Sequence, residues 1–129
     1  MQPLTEFLEL IISTVEQNCD LGLEISYEEI PIEGGLYVEF GEESICKTYY
    51  DKTTEKEIPV IFMSRHSNYK NGLEQLCSIC NYLQRLKEYP QGETFTWLDT
   101  SIAKEPRKIS REEDGQFDFA CTLICKIHY

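Results

Sequence analysis

The sequence predicts an α+β domain, a largely antiparallel sheet with two helices packed on one face. Three observations carry this: two segments place apolar residues at helical spacing, several others alternate apolar and polar residues, and polar turns bearing Gly, Pro or Asn separate them. At 129 residues the chain is one domain's worth, without internal repeat, low-complexity stretch or linker, and residues 1–129 are expected to share a single core.

Pro3 to about Cys19 is the first helix, because Leu4, Phe7, Leu8, Ile11, Ile12 and Val15 fall on one face. Pro3 suits a first helical turn, Glu6 and Glu9 favour the positive end of the dipole, and Asn18 to Gly22 end the segment. Leu23 to Tyr27 is a short extended stretch. Glu28 to Gly35 is a loop, since Pro31 cannot donate to a ladder and Gly34-Gly35 admits positive φ. Leu36 to Phe40 is a strand with Leu36, Val38 and Phe40 on one face. Gly41 to Ser44 reads as a hairpin-type connection into a strand from Ile45 to Asp51, both of whose faces carry apolar weight, so the pattern does not choose the inward one.

Asp51 to Glu57 is the most charged loop of this region. Ile58 to His66 is the strongest strand, with Val60, Phe62 and Ser64 opposite Ile61, Met63 and Arg65; it belongs at the sheet's centre, with Pro59 at its beginning or at an unpaired position. Asn68 or Asn71 caps a second helix from about Gly72 to Glu88, whose buried stripe is Leu76, Ile79, Cys80, Leu83 and Leu86, flanked by Leu73 and Cys77; Tyr89-Pro90-Gln91-Gly92 ends it. Glu93 to Lys104 is an extended run around Phe95, Trp97 and Ile102, Glu105-Pro106 a loop, and Lys108 to Glu113 a short edge element. Phe117 to Tyr129 closes the chain as a long strand with Phe117, Phe119, Cys121, Leu123, Cys125, Ile127 and Tyr129 on its buried side, and Ile124 as the exception on the more polar one. Two helices cover one sheet face. The other meets water or another protein, and Tyr37, Tyr49, Ile61, Met63 and Ile124 favour a subunit contact there.

A net charge of −11 argues against free nucleic acid as a ligand and against anionic membranes. The only basic cluster is Lys104, Arg107, Lys108 and Arg111. No apolar run approaches the roughly 20 residues of a membrane span. The N-terminus lacks a basic n-region and carries acids among its apolar residues, which predicts cytoplasmic synthesis without a secretory signal. In such a chain the six cysteines are expected to be free and mostly buried small hydrophobes.

The chemical inventory is sparse. Cys77-Ser-Ile-Cys80 lies within a predicted helix and Cys121 and Cys125 on a strand face, so neither pair has the knuckle geometry of a zinc site. A redox motif would open its helix, whereas Cys77 comes a turn or more inside. His66 and His128 are far apart in sequence, and the acidic groups Glu28-Glu29, Glu42-Glu43 and Glu112-Glu113-Asp114 sit in turns. With no phosphate-cradling glycine loop, nucleophile elbow or His-Glu metal helix, the expectation is no catalysis, no cofactor and no metal. The competing readings are a small cytoplasmic enzyme or redox or metal domain using Cys77 and Cys80, and a monomeric interaction adaptor.

The order of signals resembles small proteins of tailed bacteriophages known as tail terminator or minor capsid proteins. The match runs through an amphipathic N-terminal helix, Gly35-Leu36-Tyr37, a turn at Gly41, the aromatic-Asp pair Tyr50-Asp51 and the strand Ile58 to Phe62 ending near Arg65. It continues through the helix Leu73 to Leu86 and a closing strand after Gly115. Where the family pattern has a glycine after the aromatic-Asp pair, this chain has Lys52. The resemblance implies a virion protein of the tail or neck that assembles as a homo-oligomeric ring, commonly a hexamer, on the tail tube protein and meets the head-neck connector proteins. Carboxylates lining such a ring's lumen would repel the DNA backbone and let it pass. A head-to-tail ring needs two different surfaces on each subunit. The longest polar excursions, Gly41 to Ser44, Asp51 to Glu57 and Ala103 to Gly115, supply the candidate contacts: Glu42, Glu43, Asp51, Lys52, Glu55, Lys56, Arg107, Lys108 and Arg111.

Overall fold

The apolar periodicities place eight elements in the computed structural model, which describes residues 2–129: α1 (Pro3–Asn18), β1 (Ile25–Ser26), β2 (Gly35–Phe40), β3 (Ser44–Thr48), β4 (Thr54–His66), α2 (Tyr69–Arg85), β5 (Thr96–Arg111) and β6 (Phe117–His128). The six strands form one sheet in the order β1-β2-β4-β6-β5, with β3 also paired to β4. Apart from the two-residue parallel pair β1–β2, every pairing is antiparallel.

One sheet face is apolar because the period-2 patterns agree across the strands. Leu36 and Val38 of β2, Ile58, Val60 and Phe62 of β4, and Phe119, Cys121, Leu123, Cys125 and Ile127 of β6 are all buried. The helices cover this face with Phe7, Ile11 and Val15 of α1 and Leu76, Ile79, Cys80 and Leu83 of α2. Phe7 is the centre of an aromatic cluster, stacked on Phe40 at 5.7 Å and edge-on to Phe95 and Trp97 at 5.4 and 5.1 Å. Each fully buried large side chain contributes about 1.5–3 kcal/mol.

Strand β4 is central, as its composition predicts, but it starts at Thr54 and takes in half of the expected loop Asp51 to Glu57. The polar residues 54–57 become strand because β3 pairs with them on one side and β6 on the other. The Gly41 to Ser44 connection is not a hairpin. Strands β2 and β3 both pair with β4, so the chain bends at Gly41 yet stays along the same edge, where the Gly41 N–H donates to the Pro59 carbonyl at 2.8 Å. A strand residue's N–H and C=O point to the same side, so the donor that Pro59 lacks faces the break between β2 and β3. The true hairpin is the turn between β3 and β4, where Lys52 has φ +75°, a left-handed conformation that glycine would adopt without strain.

Helix α2 starts at Tyr69, a turn before Gly72, because the Asn68 side chain accepts the Asn71 N–H at 3.1 Å and so caps it. Strand β5 runs straight through Glu105-Pro106, which the sequence alone marks as a loop. Between the pairs Lys104–Thr122 and Arg107–Ala120 two residues of β5 stand opposite one of β6, and that bulge accommodates the proline. The expected edge element from Lys108 is therefore the end of a 16-residue edge strand. The second sheet face is half-covered: Tyr37, Ile61, Met63 and Ile124 are partly buried there, beside buried Asp118 and Ala120.

Candidate assembly surfaces

The predicted contact residues fall into two groups at diagonally opposite corners of the sheet. Glu42 and Glu43 stand exposed in the β2–β3 bend and Asp51 and Lys52 in the β3–β4 turn, with Glu55 and Lys56 half-buried at the start of β4. Arg107, Lys108 and Arg111 are exposed on β5, level with the far end of β4 and on the other edge. Three strand spacings and about seven residues of rise separate the groups, roughly 14 Å across and 23 Å along the strands.

Several residues of the first group are committed to the fold. Lys56 donates from Nζ to the Tyr129 hydroxyl at 2.8 Å, lies 4.4 Å from that ring's centre and pairs with Glu43 at 3.4 Å. The bond to Tyr129 holds the ammonium above its ordinary value against burial, with the Glu43 carboxylate adding a smaller contribution. Asp51 accepts the Thr53 hydroxyl at 2.6 Å and the Thr53 N–H at 3.1 Å, which keeps its carboxyl below the usual range. The Thr53 hydroxyl also lies 2.8 Å from His128 Nε2, with Tyr49 edge-on to that imidazole. Glu42 and Lys52 carry the outward charge of this corner, while Lys56 locks the bend to the C-terminus.

Sequence reasoning missed the strongest polar cluster. Arg65 of β4 sits opposite Asp118 of β6 and binds it bidentately, Nε to Oδ1 at 2.7 Å and Nη2 to Oδ2 at 3.2 Å. The same guanidinium reaches Glu112 at 3.2 Å and the Pro31 carbonyl at 3.4 Å, and Ser110 donates to Asp118 at 3.0 Å. Four segments are thereby fixed at the end of the sheet that carries Arg107, Lys108 and Arg111. The only signal in the sequence was an arginine and an aspartate on the non-core sides of two long strands, and the pairing register that brings them together is not written in either strand.

Both outer edges are half closed. On one side β1 pairs with β2 only at Leu36 and Tyr37, leaving the rest of β2 and all of β3 open. On the other, the Gln91 side chain imitates a strand at Trp97, accepting its N–H and donating to its carbonyl, each at 3.0 Å, and β5 beyond it has no outer neighbour among the described residues.

No protein-family model matches the sequence, and no curated protein matches it. Among solved structures, a chain of "Virion of native gene transfer agent (GTA) particle" superimposes with a TM-score of 0.70 at 8% identity, covering 98% of this chain and 97% of that one. The two share a fold over their whole length. At that identity the likeness is one of architecture.

The cysteines lie where the alternation places them. Cys19, Cys80, Cys121 and Cys125 are buried, Cys77 is half-buried and Cys46 is exposed on β3. The Cys80 sulfur beside it, then burial, push the Cys121 thiol up; burial pushes Cys125 up to about 12 and also raises Cys77 and Cys19. Cys80, lowered by its contact with Cys121, is shut inside the core. Only Cys46 of the six is exposed, and it stands apart from the Cys77 and Cys80 pair; no group of three or more potential metal ligands converges among the described residues.

Proposed function

We propose that the chain is a non-enzymatic structural subunit of a tailed phage or phage-like particle, of the tail terminator or minor capsid kind, which assembles as a ring at the head-tail joint. The observation that carries the reading is the end-to-end fold match to a chain of a virion, a TM-score of 0.70 over 98% of this chain and 97% of the other. A closed ring of identical subunits requires two different contact surfaces on each copy. The two corners support this: they differ in position and charge, and one of them is braced by the Arg65–Asp118 cluster. On this reading Glu42, Glu43, Asp51, Lys52, Glu55 and Lys56 belong to one contact region and Arg107, Lys108 and Arg111 to another. The ring, a hexamer in the family it resembles, caps the tail tube protein and meets the head-neck connector proteins; the acidic surface keeps passing DNA from adhering. The subunit is made in the bacterial cytoplasm and ends in the virion, without cofactor.

The test is to incubate the purified chain with tail tubes that lack a terminator and view them by electron microscopy. The expected result is a discrete collar at one tube end. Tubes left bare, together with a chain that binds neither tube nor connector, would overturn the proposal.

A further inference from the structure

Each sheet edge has one open half, and the two open halves differ in chemistry. On β5 the open half carries Lys104, Arg107, Lys108 and Arg111 against a single acid, Glu105, on a chain whose net charge is −11. Glu112, just beyond it, is turned onto Arg65. On the opposite edge the open half carries Glu39, Glu42 and Glu43 against Lys47. Each also exposes an aliphatic side chain among its charges: Ile109 of β5 is 46% exposed and Ile45 of β3 62%. Natural edge strands are commonly short, covered or protected. Here β1 and Gln91 cover only the halves that lack this pattern.

We infer that the subunit contact joins the basic outer half of β5 in one copy to the acidic β2–β3 edge of the next, with Ile109 and Ile45 in the middle of the contact. The inference rests on the ring reading above and adds which surface meets which. The occupant is a second copy of this chain because the two surfaces complement each other in charge and in their central apolar residue. Pro106 interrupts the backbone ladder of β5, so side-chain charge and the aliphatic pair, rather than a continuous sheet, supply the specificity.

Two variants of the full chain test this by sedimentation velocity. Arg107→Glu with Lys108→Glu makes both edges acidic, and Glu42→Lys with Glu43→Lys makes both basic; the second loses the 3.4 Å Glu43–Lys56 contact, while Lys56 keeps its bond to Tyr129. Each variant alone is expected to raise the concentration at half-assembly by about tenfold or more. Their equimolar mixture should recover assembly, because the reversed β5 of the first meets the reversed β2–β3 edge of the second and the two unaltered edges meet each other. Circular dichroism and unfolding midpoints verify that both are folded. Wild-type assembly by either variant alone, or a folded mixture that stays dissociated, would overturn the edge assignment and leave the ring reading intact. A wild-type chain that never assembles would overturn both.

Discussion

Replacing Asp118 by Asn tests the brace beneath the β5 corner. Asp118 is 5% exposed, and its two oxygens take three hydrogen bonds, two from Arg65 and one from Ser110. Asparagine keeps the volume but removes the charge and turns one acceptor into a donor facing the guanidinium. Arg65, with 15% of its side chain exposed, is left with Glu112, 41% exposed, as its only carboxylate. Stranding a mostly buried cation costs about 2–4 kcal/mol, a large part of an ordinary domain's stability of roughly 5–15 kcal/mol. Denaturant unfolding at neutral pH measures it, and a cycle with Arg65→Met should return a coupling energy of at least about 1.5 kcal/mol. The pH dependence gives a sign. Burial disfavours the Asp118 charge, but the hydrogen bonds of Arg65, Glu112 and Ser110 outweigh it and hold the carboxyl below its usual value. A depressed folded value stabilises the protein above the unfolded one, near 3.9, and that stabilisation disappears as pH falls through the folded value. The gap between parent and variant is therefore full at neutral pH and narrows in acid. A loss under about 0.5 kcal/mol, additive effects in the cycle, or a gap that widens in acid would refute the reasoning.

Three further perturbations follow from particular contacts. Gly72→Ala should destabilise by about 1–2 kcal/mol despite alanine's helix propensity, because a Cβ there would lie 2.6 Å from the fully buried Phe119 ring; a raised unfolding midpoint would contradict this. Glu6 accepts the Glu93 and Thr94 N–H groups at 3.0 and 2.9 Å and the Thr94 hydroxyl at 2.6 Å, and those bonds, the Thr94 hydroxyl's first, lower its pKa. Glu6→Ala should speed amide exchange at residues 93 and 94 without moving exchange in β4, and acidification through the depressed carboxyl value should free the same amides in the parent chain. Gln91→Ala should expose the Trp97 N–H, seen as faster exchange at that one amide, and unchanged protection would mean that the side chain does not close the edge.

What was legible in the sequence was whatever repeats locally. The α1 stripe and the β6 alternation can be read by eye because every second or every third to fourth residue faces the same core, and the resulting layers were predictable. Ile124 was correctly the odd residue, lying on the open face between Pro59 and Ser101. What was not legible depends on partners distant in the chain. Residues 54–57 are too polar to announce a strand and become one only because β3 and β6 bond to them. Glu105-Pro106 has the composition of a loop but sits in a bulge that β6 holds in register. Gly41 marks a turn in sequence, yet its N–H finds the Pro59 carbonyl and the chain continues along the same edge. Most of the candidate contacts are exposed, but their division between two corners follows from strand order, which no single segment encodes.

The most direct measurement is the mass of the purified chain in solution by sedimentation equilibrium over a wide concentration range, repeated with tail tubes present. The expected result is a discrete closed oligomer, a single multiple of the 15.1 kDa subunit that does not grow further at high concentration. A strictly monomeric chain under every condition, tubes included, would contradict it.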